Sequence, residues 1–244
     1  MPVARLLIAY DGSRFAGWAD QPGQRTVQAE LESGLERILG ERIDLTVAGR
    51  TDAGVHATGQ VASFEYGREL PDRPAERLNA VLPRDLAVLE AAPAPDGFDA
   101  RRSAKARVYR YRVLTSTVRD PLEERRALWW RYPVDRDLLD AAAAAVVGNH
   151  DFTAFTPTQT EHVLFERTVD ACAWEAERDG VLALRIEALS FMRNQVRVLV
   201  GTMLEVGGGR RSLEEFTALL NGAPRDAAGE TAPPHGLYLT EVKY

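Results

Sequence analysis

The sequence predicts an α+β protein made of two β-α-β-β-α-β halves with antiparallel sheets side by side. Three observations predict it. Apolar residues recur with strand and helix periods in that order through the first half. Pro93-Ala94-Pro95-Asp96-Gly97 then breaks the pattern as a linker. After the break the same order returns, more loosely, to the end. The expected halves are 1–97 and 98–244.

In the first half, 3–10 is a short β run. Thr26 is a helix cap, and Val27, Leu31, Leu35, Ile38 and Leu39 follow at helical spacing until Gly40. Ile43, Leu45 and Val47 alternate with Asp44, Thr46 and Ala48, so a strand leads into a turn at Asp52. The next strand is 60–66. Asp72 caps a short helix with Pro74 in its first turn and Leu78, Val81 and Leu82 facing inward. A strand at 86–92 closes a ferredoxin-like unit.

In the second half, 107–114 is a strand. Asp135 or Asp137 caps a helix through Leu139, Ala142, Ala143, Val146 and Val147, stopped by Gly148. Segments 168–176 and 181–189 form a hairpin across Asp179-Gly180, a favoured tight-turn pair. Met192, Val196, Leu199, Val200 and Met203 mark a helix face that ends at Gly207-Gly208-Gly209. Another helix lies near 213–220, and 237–244 is the last strand. This half is ferredoxin-like as well.

The chain has 244 residues, enough to bury a proper core, and is 45% hydrophobic and 27% charged. Its apolar runs are far shorter than a membrane span, and 6–10 is too short for a signal-peptide core. The single cysteine, Cys172, has no internal partner and falls in an alternating strand as a small packed residue. No membrane association and a cytoplasmic location are therefore expected. The net charge of −6 argues mildly against nucleic acid, but the distribution argues for it. Arg101, Arg102, Lys105, Arg107, Arg110 and Arg112 follow one another with no acid between them, interleaved with Tyr109 and Tyr111. Arginines with aromatic rings grip unpaired RNA, although a solvated face would read the same way.

The run Ala48-Gly49-Arg50-Thr51-Asp52-Ala53-Gly54-Val55-His56-Ala57-Thr58-Gly59-Gln60-Val61 is the chemically richest segment. It places a carboxylate and a guanidinium two residues apart on a glycine-rich turn between strands, where a substrate can approach closely. Turn chemistry alone favours Asp52 as a turn or cap residue with Arg50 as its surface neighbour. His56, His150, His162 and His235 lack metal-ligand spacing, and no P-loop, dinucleotide fingerprint or nucleophile elbow occurs. Carboxylates, arginines and tyrosines remain, so the expected chemistry is acid–base or covalent carboxylate catalysis with no cofactor and no metal.

The sequence resembles the TruA family of tRNA pseudouridine synthases. The run from Gly49 to Val61 is similar to the family's signature. Tyr10-Asp11-Gly12-Ser13-Arg14-Phe15-Ala16-Gly17-Trp18 with Thr26-Val27-Gln28 resembles its opening. Asn79-Ala80-Val81-Leu82-Pro83 with Asp85, Phe98-Asp99-Ala100-Arg101 and Arg107-Val108-Tyr109-Arg110-Tyr111 follow in order. So do Asp151-Phe152-Thr153-Ala154-Phe155, Gln195-Val196-Arg197 with Val200-Gly201-Thr202, Ala232-Pro233, and Gly236-Leu237. Ala19 stands where the family usually has Gln, Asp99 where it has His, and Val198 where it often has Asn.

The resemblance implies isomerisation of uridine to pseudouridine in the anticodon stem-loop of tRNA, at positions 38 to 40, without a cofactor. It implies a homodimer with one tRNA across both subunits. Asp52 is then the essential carboxylate, Tyr109 the active-site tyrosine, and Arg197 the arginine that pairs with the carboxylate and keeps it ionised. The implied substrate-binding set is Arg50, His56, Arg101, Arg102, Arg107, Tyr109 and Arg110. Three routes are open to Asp52: attack on C6 of the base, attack on C1′, or removal of a C2′ proton. Two other functions fit parts of the sequence. A non-catalytic RNA-binding protein would use the Tyr109/Tyr111 strand and the basic run without needing Asp52. A glycosidic hydrolase with Asp52 as nucleophile would need a paired acid, for which Asp11 and Asp44 are the local candidates.

Overall fold

The computed structural model describes residues 1–67, 69–160 and 163–244; His162 lies outside them. The chain forms two compact units, Met1–Arg107 with Tyr238–Tyr244, and Val108–Leu237. Pairing between strands is mostly antiparallel, and the class is mixed α+β.

The first unit contains β1 (Val3–Tyr10), α1 (Val27–Leu39), β2 (Thr46–Val47), β3 (His56–Glu65), α2 (Pro74–Asn79) and β4 (Leu86–Pro93). β1 alternates half-buried and buried residues along its length, as expected of a strand with one face on a core. It pairs antiparallel with β3 on one side and β4 on the other. β2 pairs antiparallel with β3, which gives the ferredoxin-like order β4-β1-β3-β2. The other end of the same β3 edge is taken by the C-terminal strand, Leu237–Lys243, which runs parallel to it with Tyr238 beside His56. The Thr26 hydroxyl accepts from Ala29 N at 3.3 Å, and Gly40 closes α1, as the sequence predicts.

Three details differ from the sequence expectation. The strand expected from Ile43 shortens to Thr46–Val47, with the Ile43 side chain buried instead as an anchor. β3 starts at His56, four residues early, because the C-terminal strand supplies a partner there that local sequence does not announce. Asp72 does not cap α2; Arg73 holds the cap position in a left-handed conformation, and Val81 is exposed.

The second unit contains most of β5 (Ala106–Leu114), then β6 (Leu128–Trp129), α3 (Arg136–Val146), β7 (Gly148–Asp151), β8 (Glu166–Arg178), β9 (Val181–Ala188), α4 (Gln195–Gly207) and α5 (Leu213–Ala218); the C-terminal strand above is β10. Its strands run in the order β5-β9-β8-β7. Asp135 caps α3 by accepting from Asp137 N and Leu138 N, and the Asp179-Gly180 hairpin joins β8 to β9. Ser212 and Glu215 form a reciprocal capping box on α5. Phe152 and Phe216 each meet Phe155 edge to face, and all three are fully buried, as is Tyr111. Cys172 is buried, and burial pushes its thiol up to about 12. Among the described residues no helix is long and apolar enough to cross a membrane.

Candidate active site

In the first unit, Asp52 sits half-buried on the turn between β2 and β3. The turn closes through Val55 N donating to Asp52 O at 3.1 Å. Its backbone is pinned on both sides of Asp52. Upstream, Gln60 Nε2 donates to Gly49 O at 2.7 Å, and Tyr10 Oη lies 2.7 Å from Thr51 Oγ1. Burial pushes the Tyr10 hydroxyl up to about 12, against the opposing hydrogen bonds from Thr51 and Gln60, so it stays neutral. Trp18 N donates to Thr51 O at 3.0 Å. The segment around Trp18 lies directly on the turn. A Cβ on Gly12 would stand 1.9 Å from Val55 O, and Gly17 has φ +103 with Thr51 O 2.9 Å from where its Cβ would be. Only glycine permits both approaches.

That segment is itself anchored. Arg25 donates twice to Asp85, at 2.8 and 2.9 Å, and Asp11 N donates to Asp85 O at 3.0 Å. The Arg25 hydrogen bonds hold the Asp85 carboxyl below the usual carboxylate range. Asn79, in the same sequence motif as Asp85, closes a pair of 2.8 Å bonds with the backbone of Val88. Asp85 thus anchors the loop that covers the Asp52 turn, while Asn79 ties the end of α2 to β4.

His56 is 1% exposed and stacked on Tyr238 with ring centroids 4.6 Å apart. Its Nδ1 lies 3.1 Å from Gly12 N and 3.2 Å from Asp11 Oδ1, and it accepts from the first or donates to the second. Arg107 is also buried, with its guanidinium donating to Ala48 O and Arg101 O. Both residues face inward and brace the turn. Arg50 is exposed beside Asp52, and Arg101 and Arg102 are exposed on a turn whose amides both donate to Asp99 Oδ1 at 2.8 Å. Asp99, the departure from the family's usual His, is therefore the cap of the turn that displays the arginine pair.

In the second unit, Tyr109 is 9% exposed and meets Phe191 edge to face at 5.2 Å. Tyr111 is fully buried; its hydroxyl donates to Pro233 O at 2.8 Å, and burial raises its pKa. Arg197, in the first turn of α4, donates from Nε to Ala232 O at 2.7 Å and from Nη1 to Asn194 Oδ1 at 2.9 Å. The Ala232-Pro233 motif is thus read by both residues through its carbonyls. Arg110 lies against Glu175 and Glu177, and Arg112 against Glu177 and Glu123. The acids that balance the basic run come from β8 and from the segment after β5, which the local sequence of the run does not reveal.

A family profile described as "tRNA pseudouridine synthase" matches residues 6–101 and 142–244. The chain is 46% identical over 234 residues to a "tRNA pseudouridine synthase A" of Halalkalibacterium halodurans, covering 95% of this chain and 89% of that protein. It is 42% identical over 247 residues to the protein of the same name from Myxococcus xanthus, covering 100% and 92%. It is 42% identical over 243 residues to that of Bacillus subtilis, covering 98% of each. With the profile matching most of the chain and these relatives covering 95% or more of it, the chain belongs to the tRNA pseudouridine synthase family.

Proposed function

We propose that this protein isomerises uridine to pseudouridine in the anticodon stem-loop of tRNA, at positions 38 to 40, with Asp52 as the catalytic carboxylate. The relatives' shared name supports the reaction and the substrate class. The setting of Asp52 supports its role: the backbone around it is pinned by buried groups while its own side chain stays half-exposed. That is how a reactive group is held in place without being sealed off.

The reaction breaks the C1′–N1 bond, turns the uracil and forms C1′–C5; the hydrogen on C5 is lost as a proton and N1 gains one. The target base must first leave its stack. Asp52 starts the exchange at C6, at C1′ or at the C2′ proton. Tyr109 stacks on the base and assists removal of the C5 proton. Arg197 supplies the positive charge that keeps the carboxylate ionised. Arg50 grips phosphate or props the base out, and Arg101 and Arg102 hold the RNA backbone. His56 and Arg107, being buried, act by bracing the turn. Arg110 reaches RNA with its charge already offset by Glu175 and Glu177. The protein works in the cytoplasm as a homodimer with one tRNA across both subunits, which light scattering with and without tRNA checks.

The test is incubation of unmodified tRNA transcripts with wild-type protein and with Asp52→Asn, followed by chemical mapping of pseudouridine. Wild type is expected to modify positions 38 to 40. Asp52→Asn is expected to bind tRNA within a few-fold of wild type, keep its melting temperature and form no product. Turnover by Asp52→Asn removes the residue from its role. Binding without turnover by wild type leaves a non-catalytic RNA-binding protein, and thermal collapse of the variant makes Asp52 a turn residue.

A further inference from the structure

The second unit carries a cleft of about 330 Å³ lined by Trp130, Tyr132, Pro133, Gly208 and Arg210. Gly208 follows the last turn of α4 and Arg197 sits in its first. The two ends are roughly 16 Å apart along the axis, given the ordinary helical rise. The cleft is therefore at the opposite end of α4 from the residue implicated in catalysis.

Its chemistry is aromatic and cationic. Trp130 and Tyr132 meet at an interplanar angle of 70° with centroids 5.4 Å apart. The Arg210 guanidinium stands 5.4 Å from the Trp130 ring centre, and that of Arg131 stands 5.2 Å from the Tyr132 ring centre. Arg131 Nη2 also donates to Tyr132 Oη at 3.3 Å. Among the described residues no acid lines the cleft. Tyr132 is 53% exposed, a large ring left facing water. The indole Nε1 of Trp130 is buried away from the cleft, so the residue offers the cleft its ring and not its N–H.

We propose that this cleft is an RNA subsite that takes one nucleotide of the tRNA other than the target uridine. The base stacks against the Trp130–Tyr132 pair, and the phosphate pairs with Arg210. This rests on the tRNA reading above. Aromatic rings accept any base by its face, and arginine adds both a stacking plane and a phosphate partner. A peptide would call for an apolar floor or an acid to meet its amides and lysines, and this cleft has two arginine-backed rings instead.

The experiment uses the full-length protein with unmodified tRNA and the variants Tyr132→Ala, Tyr132→Phe and Arg210→Ala. Tyr132→Ala is expected to weaken tRNA binding roughly fivefold or more, as loss of one stacked base does. Tyr132→Phe, which keeps the ring, is expected to restore it. Arg210→Ala is expected to reduce the slope of log affinity against log salt by about one. Pseudouridine formation at saturating tRNA stays within about twofold of wild type in all three, since none of them touches the reacting base and each stays folded. Photocrosslinking of wild-type protein is expected to join tRNA to the peptide containing 129–133. Variants that bind like an active wild type overturn the subsite and leave the enzyme function standing. Variants that turn a dimer into monomers make the cleft a contact between copies and also overturn it. A wild-type protein that does not bind tRNA overturns both.

Discussion

Arg107 places two guanidinium nitrogens on the carbonyl of Ala48: Nε donates to it at 3.1 Å and Nη2 at 2.7 Å, and Nη2 also donates to Arg101 O at 2.7 Å. Ala48 opens the turn that carries Asp52, and Arg101 begins the exposed arginine pair. One buried side chain thus sets the approach of both segments. Lysine keeps the charge but lacks the planar fork that spans two carbonyls.

Arg107→Lys is expected to slow single-turnover pseudouridine formation by roughly tenfold or more, because small displacements of a reacting group are costly. Affinity for tRNA should stay within about twofold. If Arg107 contacts phosphate, as its place in the basic run suggests, the reverse holds. Affinity and salt slope then fall while the rate at saturation is kept.

The contrast shows which features are legible locally. Caps and tight turns are, because their chemistry lies within a few residues: Thr26 with Gly40, Asp135, and Asp179-Gly180 each appear where the sequence puts them. The order of elements in the first half is legible for the same reason. The surroundings of Asp52 are not. Its turn is fixed by Tyr10 and Gln60 from two strands and by Arg107 from a third, groups linked only by the fold. Residues 101–112 read as uninterrupted positive charge, yet Glu123, Glu175 and Glu177 meet Arg110 and Arg112 across elements. His56 reads as part of an open turn until its stack on Tyr238, from the far end of the chain, shows it to be buried.

Tyr109 and Tyr111 share a strand face but differ in what they hold. The Tyr111 hydroxyl donates to Pro233 O from a fully buried position. Tyr111→Phe is expected to lose about 1 kcal/mol, the usual net worth of such a bond, and about 2–4 °C of melting temperature. Turnover per folded molecule should remain normal. Tyr109→Phe is expected to melt like wild type and to bind tRNA, but to lose much of its single-turnover rate; Tyr109→Leu should lose both binding and rate. Full single-turnover activity in folded Tyr109→Leu would remove Tyr109 from the reaction.

Asp85 gives a pH signature. Its carboxyl is held low chiefly by the Arg25 hydrogen bonds, so the folded state takes up that proton later than the unfolded state as pH falls. The pair's stabilisation is fully present above the unfolded value of about 4 and is lost as pH drops from there through the folded value. Asp85→Asn should therefore melt below wild type at pH 7, and the gap should close as pH falls below about 4. A gap that stays constant with pH would show that the ionic pairing with Arg25 does not stabilise the fold.

Arg101 and Arg102 stand exposed on a turn built by Asp99, whose Oδ1 accepts from both of their amides. Their side chains are therefore presented by backbone geometry and not by packing, so replacing them leaves the turn intact. Each phosphate that they neutralise should contribute close to one counterion to the salt dependence of tRNA binding. Arg101→Ala with Arg102→Ala is expected to flatten the slope of log affinity against log salt by about two and to leave melting temperature unchanged. Asp99→Ala is expected to reproduce part of that loss with both arginines still present, because the turn that aims them loses its acceptor. An unchanged slope in the double variant would make the pair a solvated face. A reduced slope there with an unaltered one in Asp99→Ala would keep the RNA contact and remove Asp99 from the role of aiming it.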